Sequence, residues 1–252
     1  MDLSGASAAW EGFKARLPDI DRETHPNDDM LKKSPKGWSD YELAGVSAIR
    51  CTFESLLFTN IACVKSVLDF GSGHGRVARH LRLAFPAAAL HFSDIDDDAW
   101  QFCARQFGGS GFASTDDFSK LVVPVRTDLI FVGSVFTHLD SERCQHLWKA
   151  LFGSLNPGGA LVATFRGREC WQMMIKTPER FNMGGYYDSM INNYLKQGFG
   201  YQDYKGFVKW GQNLWKPAQV AQLANDAPDA RLVRFSEAGW ANIHDVGVWT
   251  KR

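Results

Sequence analysis

The sequence predicts an α/β protein. Its doubly wound, mostly parallel seven-stranded sheet ends in an antiparallel hairpin, with an N-terminal helical segment in front. Three observations carry this reading. Short apolar runs at 64–70, 88–93, 112–114, 128–133 and 160–165 alternate with stretches of helical periodicity, and strands separated by helices pair in parallel through right-handed crossovers. The first run breaks at once into alternating glycines, Gly71, Gly73 and Gly75, and then into the helical pattern Val77, Leu81, Phe85. The last two runs, 231–235 and 245–250, are joined by nine residues, which is too short for a parallel crossover.

Taken in order, residues 1–40 are polar and broken by Pro18, Pro26 and Pro35. A short helix is expected at about 8–17 and an exposed loop over 19–29. Leu43, Val46, Ile49, Phe53, Leu56 and Leu57 recur at helical spacing, so a helix over 40–60 should cover the first strand. The chain thus divides into a loop-and-helix cover, residues 1–60, and a core, residues 61–252. The second strand runs into Asp94, and a helix over 97–107 follows. Asp96, Asp97 and Asp98 give that helix a negative start that suits its dipole, and no metal is expected there. Residues 108–111 end it.

The run at 128–133 is nearly all apolar, as a strand buried on both faces should be. A helix over 141–155 follows, with Ser141 as its cap and Asn156-Pro157-Gly158-Gly159 as its close. Residues 166–213 leave the alternation: they are aromatic and glycine-rich with little periodicity, and read as an insertion. Pro217 suits the first position of a helix that begins near 216.

Bulk properties narrow the function. A chain of 252 residues is long enough for one large α/β domain. It balances 28 basic against 28 acidic residues with no basic run, which argues against a nucleic-acid partner. Cys51, Cys63, Cys103, Cys144 and Cys170 are odd in number and form no CxxC pair. They suggest neither a disulfide framework nor a zinc site, and suit a reducing cytoplasm. With no basic-then-apolar start and no long apolar window, neither a leader nor a membrane segment is expected.

The glycine stretch carries the chemistry. Gly73-His74-Gly75-Arg76-Val77-Ala78 fits the dinucleotide pattern GxGxx(G/A), with Asp94 about twenty residues on as a ribose acid. That leaves an NAD(P)-dependent oxidoreductase open. However, Asp69 stands at the strand end, and Asp69-Phe70-Gly71-Ser72-Gly73-His74-Gly75 resembles the first motif of class I S-adenosylmethionine-dependent methyltransferases. The resemblance runs from about residue 40 to the C-terminus. It takes in Ser93-Asp94-Ile95-Asp96, the stretch from Thr127 through Gly133-Ser134-Val135-Phe136-Thr137-His138, Asn156-Pro157-Gly158-Gly159 and the closing hairpin.

The resemblance implies a Rossmann-like fold, S-adenosylmethionine as cofactor, and methyl transfer to an oxygen or nitrogen of a small-molecule or glycan-like acceptor. It implies that Asp69, Gly71, Ser72, Gly73 and Gly75 face the methionine end. Asp94 would accept from the ribose hydroxyls, and Ile95 would lie on the adenine face. Ser114, or else Asp116 or Asp117, would meet the adenine edge, and Gly133 and Ser134 belong to the fourth-strand motif. His138, where the family's acceptor pocket opens, is a general base with an ordinary pKa suited to neutrality, or a brace for the next helix. Arg166 binds an anionic group of the acceptor or lies at the surface. Tyr186, Tyr187, Tyr201, Tyr204 and Trp210 form a lid or pack the insertion, while Trp240 and His244 fall at the same sheet edge. A non-catalytic module that binds the cofactor is the other reading. Nothing in the sequence sets the oligomeric state.

Overall fold

The computed structural model describes residues 3–181 and 187–252. The N-terminal segment forms α1 (Leu3–Arg16), a 3-10 turn (Leu17–Asp19), α2 (Asp29–Lys32) and α3 (Trp38–Leu56). Strands and helices then alternate: β1 (Ser66–Phe70), α4 (Ala78–Ala84), β2 (Ala89–Asp94), α5 (Asp97–Phe107), β3 (Ser110–Ala113), β4 (Thr127–Val132), α6 (Ser141–Gly153) and β5 (Leu155–Arg166). The region read as an insertion holds α7 (Arg168–Lys176), α8 (Asp188–Gln197), β6 (Phe199–Asp203) and β7 (Gly211–Trp215). Next come α9 (Pro217–Gln222), β8 (Ala230–Trp240) and β9 (His244–Lys251).

Seven strands form one sheet in the order β3-β2-β1-β4-β5-β9-β8. The pairs among β1 to β5 are parallel, and β9 runs antiparallel between β5 and β8. The strand order reverses between β1 and β4, so the chain leaves their carboxyl ends in opposite directions and opens a crevice there.

Side chains alternate across each strand, and the two faces fill two cores. Val67, Leu129, Phe131 and Val162 pack with Phe13, Ile49, Leu56, Leu81 and Phe102 from α1, α3, α4 and α5. Leu68, Ile130, Leu161 and Trp249 pack on the other face with Leu147, Trp148 and Leu151 of α6 and Val220 of α9. Both faces are covered, which is why the middle strands read as unbroken apolar runs.

Five expectations need correction. Asp140, not Ser141, caps α6: its carboxylate accepts the Arg143 N–H at 2.9 Å. Residues 156–159 do not close that helix but lie within β5, beside a register shift against β4. The final hairpin turns over residues 241–243 only, because β8 reaches Trp240 through bulges. The stretch 19–29 is not simply exposed, since Ile20 and Asp28 are buried. The insertion is regular: α7 and α8 bury Cys170, Met174, Met190 and Tyr194 with Leu214 of β7 in a small core. Their i,i+4 stripes are made of Cys, Met and Tyr rather than aliphatic residues, which hides the period.

Ile130 is fully buried at the centre of the sheet. Ile130→Ala should lower the unfolding free energy by about 2–5 kcal/mol. Val122→Ala, at an exposed position, should stay within about 0.5 kcal/mol of the parent. Urea titration followed by tryptophan fluorescence measures both.

Candidate functional site

The loop after β1 is held by its backbone. The N–H groups of Gly71 and Ser72 both donate to the Ser93 carbonyl, at 2.7 and 3.1 Å. Asp94, at the end of β2, accepts the Gly73 N–H at 2.8 Å on one oxygen and the Asp96 N–H at 3.1 Å on the other. Gly71, Gly73 and Gly75 all have positive φ, at +75°, +49° and +89°, a region open to glycine without steric cost. A Cβ on Gly71 would lie 2.3 Å from Val135, and one on Gly75 would lie 2.3 Å from the Phe107 ring. At Gly73 nothing lies within 4 Å of that position. The loop is therefore packed on two sides and open at Gly73.

Asp69 is only 2% exposed, and its Oδ2 has no hydrogen-bond donor. Burial and the neighbouring Asp94 carboxylate push its pKa up to about 7, against the pull of Arg76. The buried Ser72 hydroxyl also lacks a partner. Such groups are costly to leave unsatisfied, and both line a cleft shared with Gly71, Gly73, Gly133 and Trp240. They fit a ligand that brings a cation or hydrogen-bond donors to this point.

The far wall of the cleft comes from the N-terminal segment, which sequence reasoning had read as a cover. Asp28 caps α2 by accepting the N–H groups of Met30 and Leu31 on Oδ1, both at 3.0 Å. The Tyr41 hydroxyl donates to its Oδ2 at 2.5 Å, and both residues line the cleft. Arg79 fastens this wall to the loop. Its guanidinium donates to the carbonyls of Gly75, Asp21, Glu23 and His74 at 2.9, 2.7, 2.9 and 3.4 Å. Only the arginine-rich start of α4 hinted at this, and nothing in the sequence paired Arg79 with residues more than fifty positions away.

The second half of the edge lies past β4 and β5. Gly133 lines the cleft. Ser134 takes a positive φ of +67°, with its N–H donating to the Thr164 hydroxyl at 2.8 Å. His138 donates its Nδ1–H to the Gly211 carbonyl at 2.9 Å, and the Tyr204 hydroxyl lies 3.1 Å from the same nitrogen. Trp210 stacks on the imidazole at 4.6 Å. Burial, reinforced by Arg166, pushes the His138 pKa down to about 3. This overturns the expectation of an ordinary histidine pKa. Gly211, Tyr204 and Trp210, which contact the ring, come from β7 and the β6–β7 loop, some seventy positions along the chain.

Arg166 is buried rather than at the surface. One of its terminal nitrogens donates to the Thr137 carbonyl at 2.7 Å, and its Nε has no partner. His244 is its register neighbour on β9 and carries a buried, unpartnered Nδ1. Burial lowers the His244 pKa strongly, and Arg166, Arg76 and His138 lower it further. Trp240 packs its ring 5.3 Å from His244, donates its indole N–H to the Ala44 carbonyl at 2.9 Å, and carries the Arg76 guanidinium 5.5 Å from its centroid.

The remaining expected residues scatter. Ile95 is exposed beside Asp94, and Ser114, half-buried, donates its backbone N–H to the Asp94 carbonyl at 2.8 Å. The Tyr201 hydroxyl is engaged by Asp203 at 2.5 Å. Tyr187 packs in the core of the insertion and forms no lid. Tyr186 lies outside the described residues. The aromatics that meet His138 are Tyr204 and Trp210.

Comparison with known proteins places this geometry. Residues 68–161 match the family model described as a methyltransferase domain, less than half of the chain. No curated protein matches the sequence. Among solved structures, an S-adenosylmethionine-dependent methyltransferase from Clostridium acetobutylicum superposes with a TM-score of 0.56 at 12% identity, over 82% of this chain and 92% of its own. The mitomycin 7-O-methyltransferase MmcR gives 0.54 at 12% identity, over 97% of this chain and 67% of its own. A TehB-like S-adenosylmethionine-dependent methyltransferase from Corynebacterium glutamicum gives 0.53 at 16% identity, over 90% and 100%. Residues 68–161 thus resemble a methyltransferase domain, and the chain has the Rossmann-like fold of these solved methyltransferases.

Asp69 generates a pH dependence. Its folded-state pKa, near 7, lies above the ordinary carboxylate value, so the native protein holds a proton that the unfolded chain has lost. Stability therefore falls as pH rises from about 4 to about 7, and the loss is complete above that. Three pKa units correspond to at most about 4 kcal/mol. Asp69→Asn should gain on the parent by up to that amount over this window and then level off. Urea unfolding at a series of pH values measures the difference.

Proposed function

We propose that the chain is an S-adenosylmethionine-dependent methyltransferase acting on a small-molecule or glycan-like acceptor, at oxygen or nitrogen. The observation that carries this reading is the buried Asp69 with an unpartnered oxygen beside the loop opened at Gly73. It suits the ammonium of the cofactor's methionine end better than it suits a pyrophosphate, which two nearby carboxylates would repel. When bound, the cofactor supplies a methyl group on a positively charged sulfur.

In this reading Asp69 and Ser72 hold the amino-acid end, with main-chain groups of Gly71, Gly73 and Gly75 around it. Asp94 keeps lone pairs for the ribose hydroxyls while it braces Gly73 and Asp96. Ile95 and Ser114 border the adenine, and Gly133 and Ser134 bound the reacting end. Tyr41 and Asp28 close the cleft from the N-terminal side and help exclude water, which aligns the reactants for an in-line displacement.

His138, Arg166, Trp240 and His244 form the acceptor side, with Tyr204 and Trp210 against His138. Because Nδ1 carries the proton given to Gly211, the lone pair of His138 sits on Nε2 and is not lost to protonation near neutrality. It accepts the hydrogen bond of the acceptor's O–H or N–H and so orients it toward the methyl group. Arg166, with a free Nε, pairs with an anionic group.

Isothermal titration with S-adenosylhomocysteine and, separately, NADH tests the cofactor. Micromolar binding of the first and none of the second is expected, and tight binding of NADH alone would overturn the reading. Gly71→Ala should weaken S-adenosylhomocysteine by at least about tenfold, since its Cβ meets Val135. With an acceptor in hand, His138→Ala should lower kcat by up to about 10²-fold through lost orientation. No step from His138 should appear in the pH profile between about 5 and 9, since its pKa is near 3.

A further inference from the structure

His25, His74 and Asp98 come from three separate parts of the chain: the N-terminal segment, the glycine loop and the first turn of α5. Each offers one ligand atom, and the three atoms lie within 4.8 Å of one another. Nδ1 of His25 is 3.3 Å from Asp98 Oδ2, and Nε2 of His74 is 3.6 Å from the same oxygen. The two imidazoles stack almost parallel, 6° apart with centroids at 4.6 Å, and Phe102 packs against both rings.

Two features of this cluster bear on whether it takes a cation. The Asn27 backbone N–H donates to Nδ1 of His25 at 3.2 Å. That bond takes the nitrogen's single lone pair, so a metal at Nδ1 would replace the Asn27 N–H. Nε2 of His74 is buried, aimed at the same oxygen, and has no hydrogen-bond partner. Asp98 receives one hydrogen bond at that oxygen, from the Asn27 side chain at 3.2 Å, which leaves it a lone pair. Two imidazole nitrogens and a carboxylate oxygen thus lie around one point.

We propose that His25, His74 and Asp98 bind a divalent transition metal, with zinc the best fit, and that the metal pins the N-terminal segment to the glycine loop. Zinc bonds to imidazole nitrogen and carboxylate oxygen are roughly 2.0–2.2 Å, and tetrahedral geometry then sets neighbouring ligand atoms about 3.3–3.5 Å apart. The two contacts to Asp98 already stand near that spacing, and since each lone pair lies in its ring plane, one of the stacked imidazoles turns out of the stack to complete the set. Asp98 is partly exposed, which leaves the fourth position to water, as in other three-ligand zinc sites. The site gathers segments that lie far apart in the chain, so binding free energy becomes stability of the native arrangement. It also gives Asp98 a use beyond a negative helix start, and it does not depend on the acceptor or on the methyl-transfer chemistry.

The test uses the full chain, stripped with a chelator and then titrated with Zn²⁺ against a chromophoric competitor, and in parallel with Co²⁺. One equivalent of zinc should bind, and cobalt should give visible bands of low-symmetry coordination. Zinc at a hundredfold excess over Kd should raise the unfolding midpoint by about 5–10 °C. Asp98→Asn and His25→Ala, both at partly exposed positions, should each weaken zinc by roughly tenfold or more and lose the midpoint shift. Their unfolding without zinc should remain cooperative, which separates loss of the site from loss of the fold. Absence of stoichiometric binding in the parent, as expected if a proton shared with Asp98 fills the cluster, would overturn the proposal. So would variants that bind zinc as the parent does.

Discussion

One buried guanidinium sets the shape of the cofactor side. Arg79 is 1% exposed and has no carboxylate partner among the described residues, yet a buried cation is tolerated only when its donors are satisfied. Four carbonyls do this, two from the glycine loop and its flank and two from the N-terminal segment. Trp38, Tyr41 and Phe107 add ring faces 5.0–5.4 Å away. The carbonyls of Asp21 and Glu23 could be satisfied by water, but the guanidinium could not. The N-terminal strap is thus an electrostatic requirement of the loop, and Asp28 and Tyr41 reach the cleft because the strap is there.

The two halves of the edge share a second constraint. Gly71 has no room for a Cβ because Val135 occupies that space, and the carbonyl of Val135 accepts the His138 N–H at 3.1 Å. The position of the loop after β1 is therefore coupled, through one side chain and one hydrogen bond, to the position of His138. Asn213 strengthens the connection from below: its buried amide donates to the carbonyls of Phe136 and Leu139, both at 2.6 Å. Strand β7 holds in place the turn that carries His138, which gives the insertion a structural role apart from any contact with an acceptor.

What the sequence made legible was local. Alternating burial along Val67-Leu68 and Leu129-Ile130 follows from the strand period, and the glycine loop announces itself through residues that tolerate positive φ. The antiparallel hairpin followed from a connection too short to cross over, although its bulges at Ser236–Trp240 shortened the turn further than counting could show. What escaped was contact across sequence distance. Asp28 looks like one more acid in a polar stretch until Tyr41 folds onto it. His138 looks like an ordinary histidine until Gly211, Trp210 and Arg166 surround it. The insertion hid its helices because Met, Cys and Tyr filled the positions where a search for aliphatic stripes looks.

The charges of the edge then divide in a way that bears on the proposed chemistry. Asp69, Asp94 and Asp28 stand around the loop, while Arg166, His138 and His244 stand beyond β4. The imidazoles on that second side are held neutral by burial, so its fixed positive charge belongs to Arg166, with Arg76 between the two halves over the Trp240 ring. A buried arginine with an unpartnered Nε and no paired acid among the described residues is incomplete, just as the unpartnered oxygen of Asp69 is incomplete on the other side. A positively charged cofactor completes the acidic half. By the same electrostatic reasoning, an acceptor bearing one negative group completes the basic half, and its approach would lower the cost of burying Arg166. In the proposed reading Asp69 answers the cofactor's charge and Arg166 the acceptor's, so each incomplete buried group is completed by the molecule it binds.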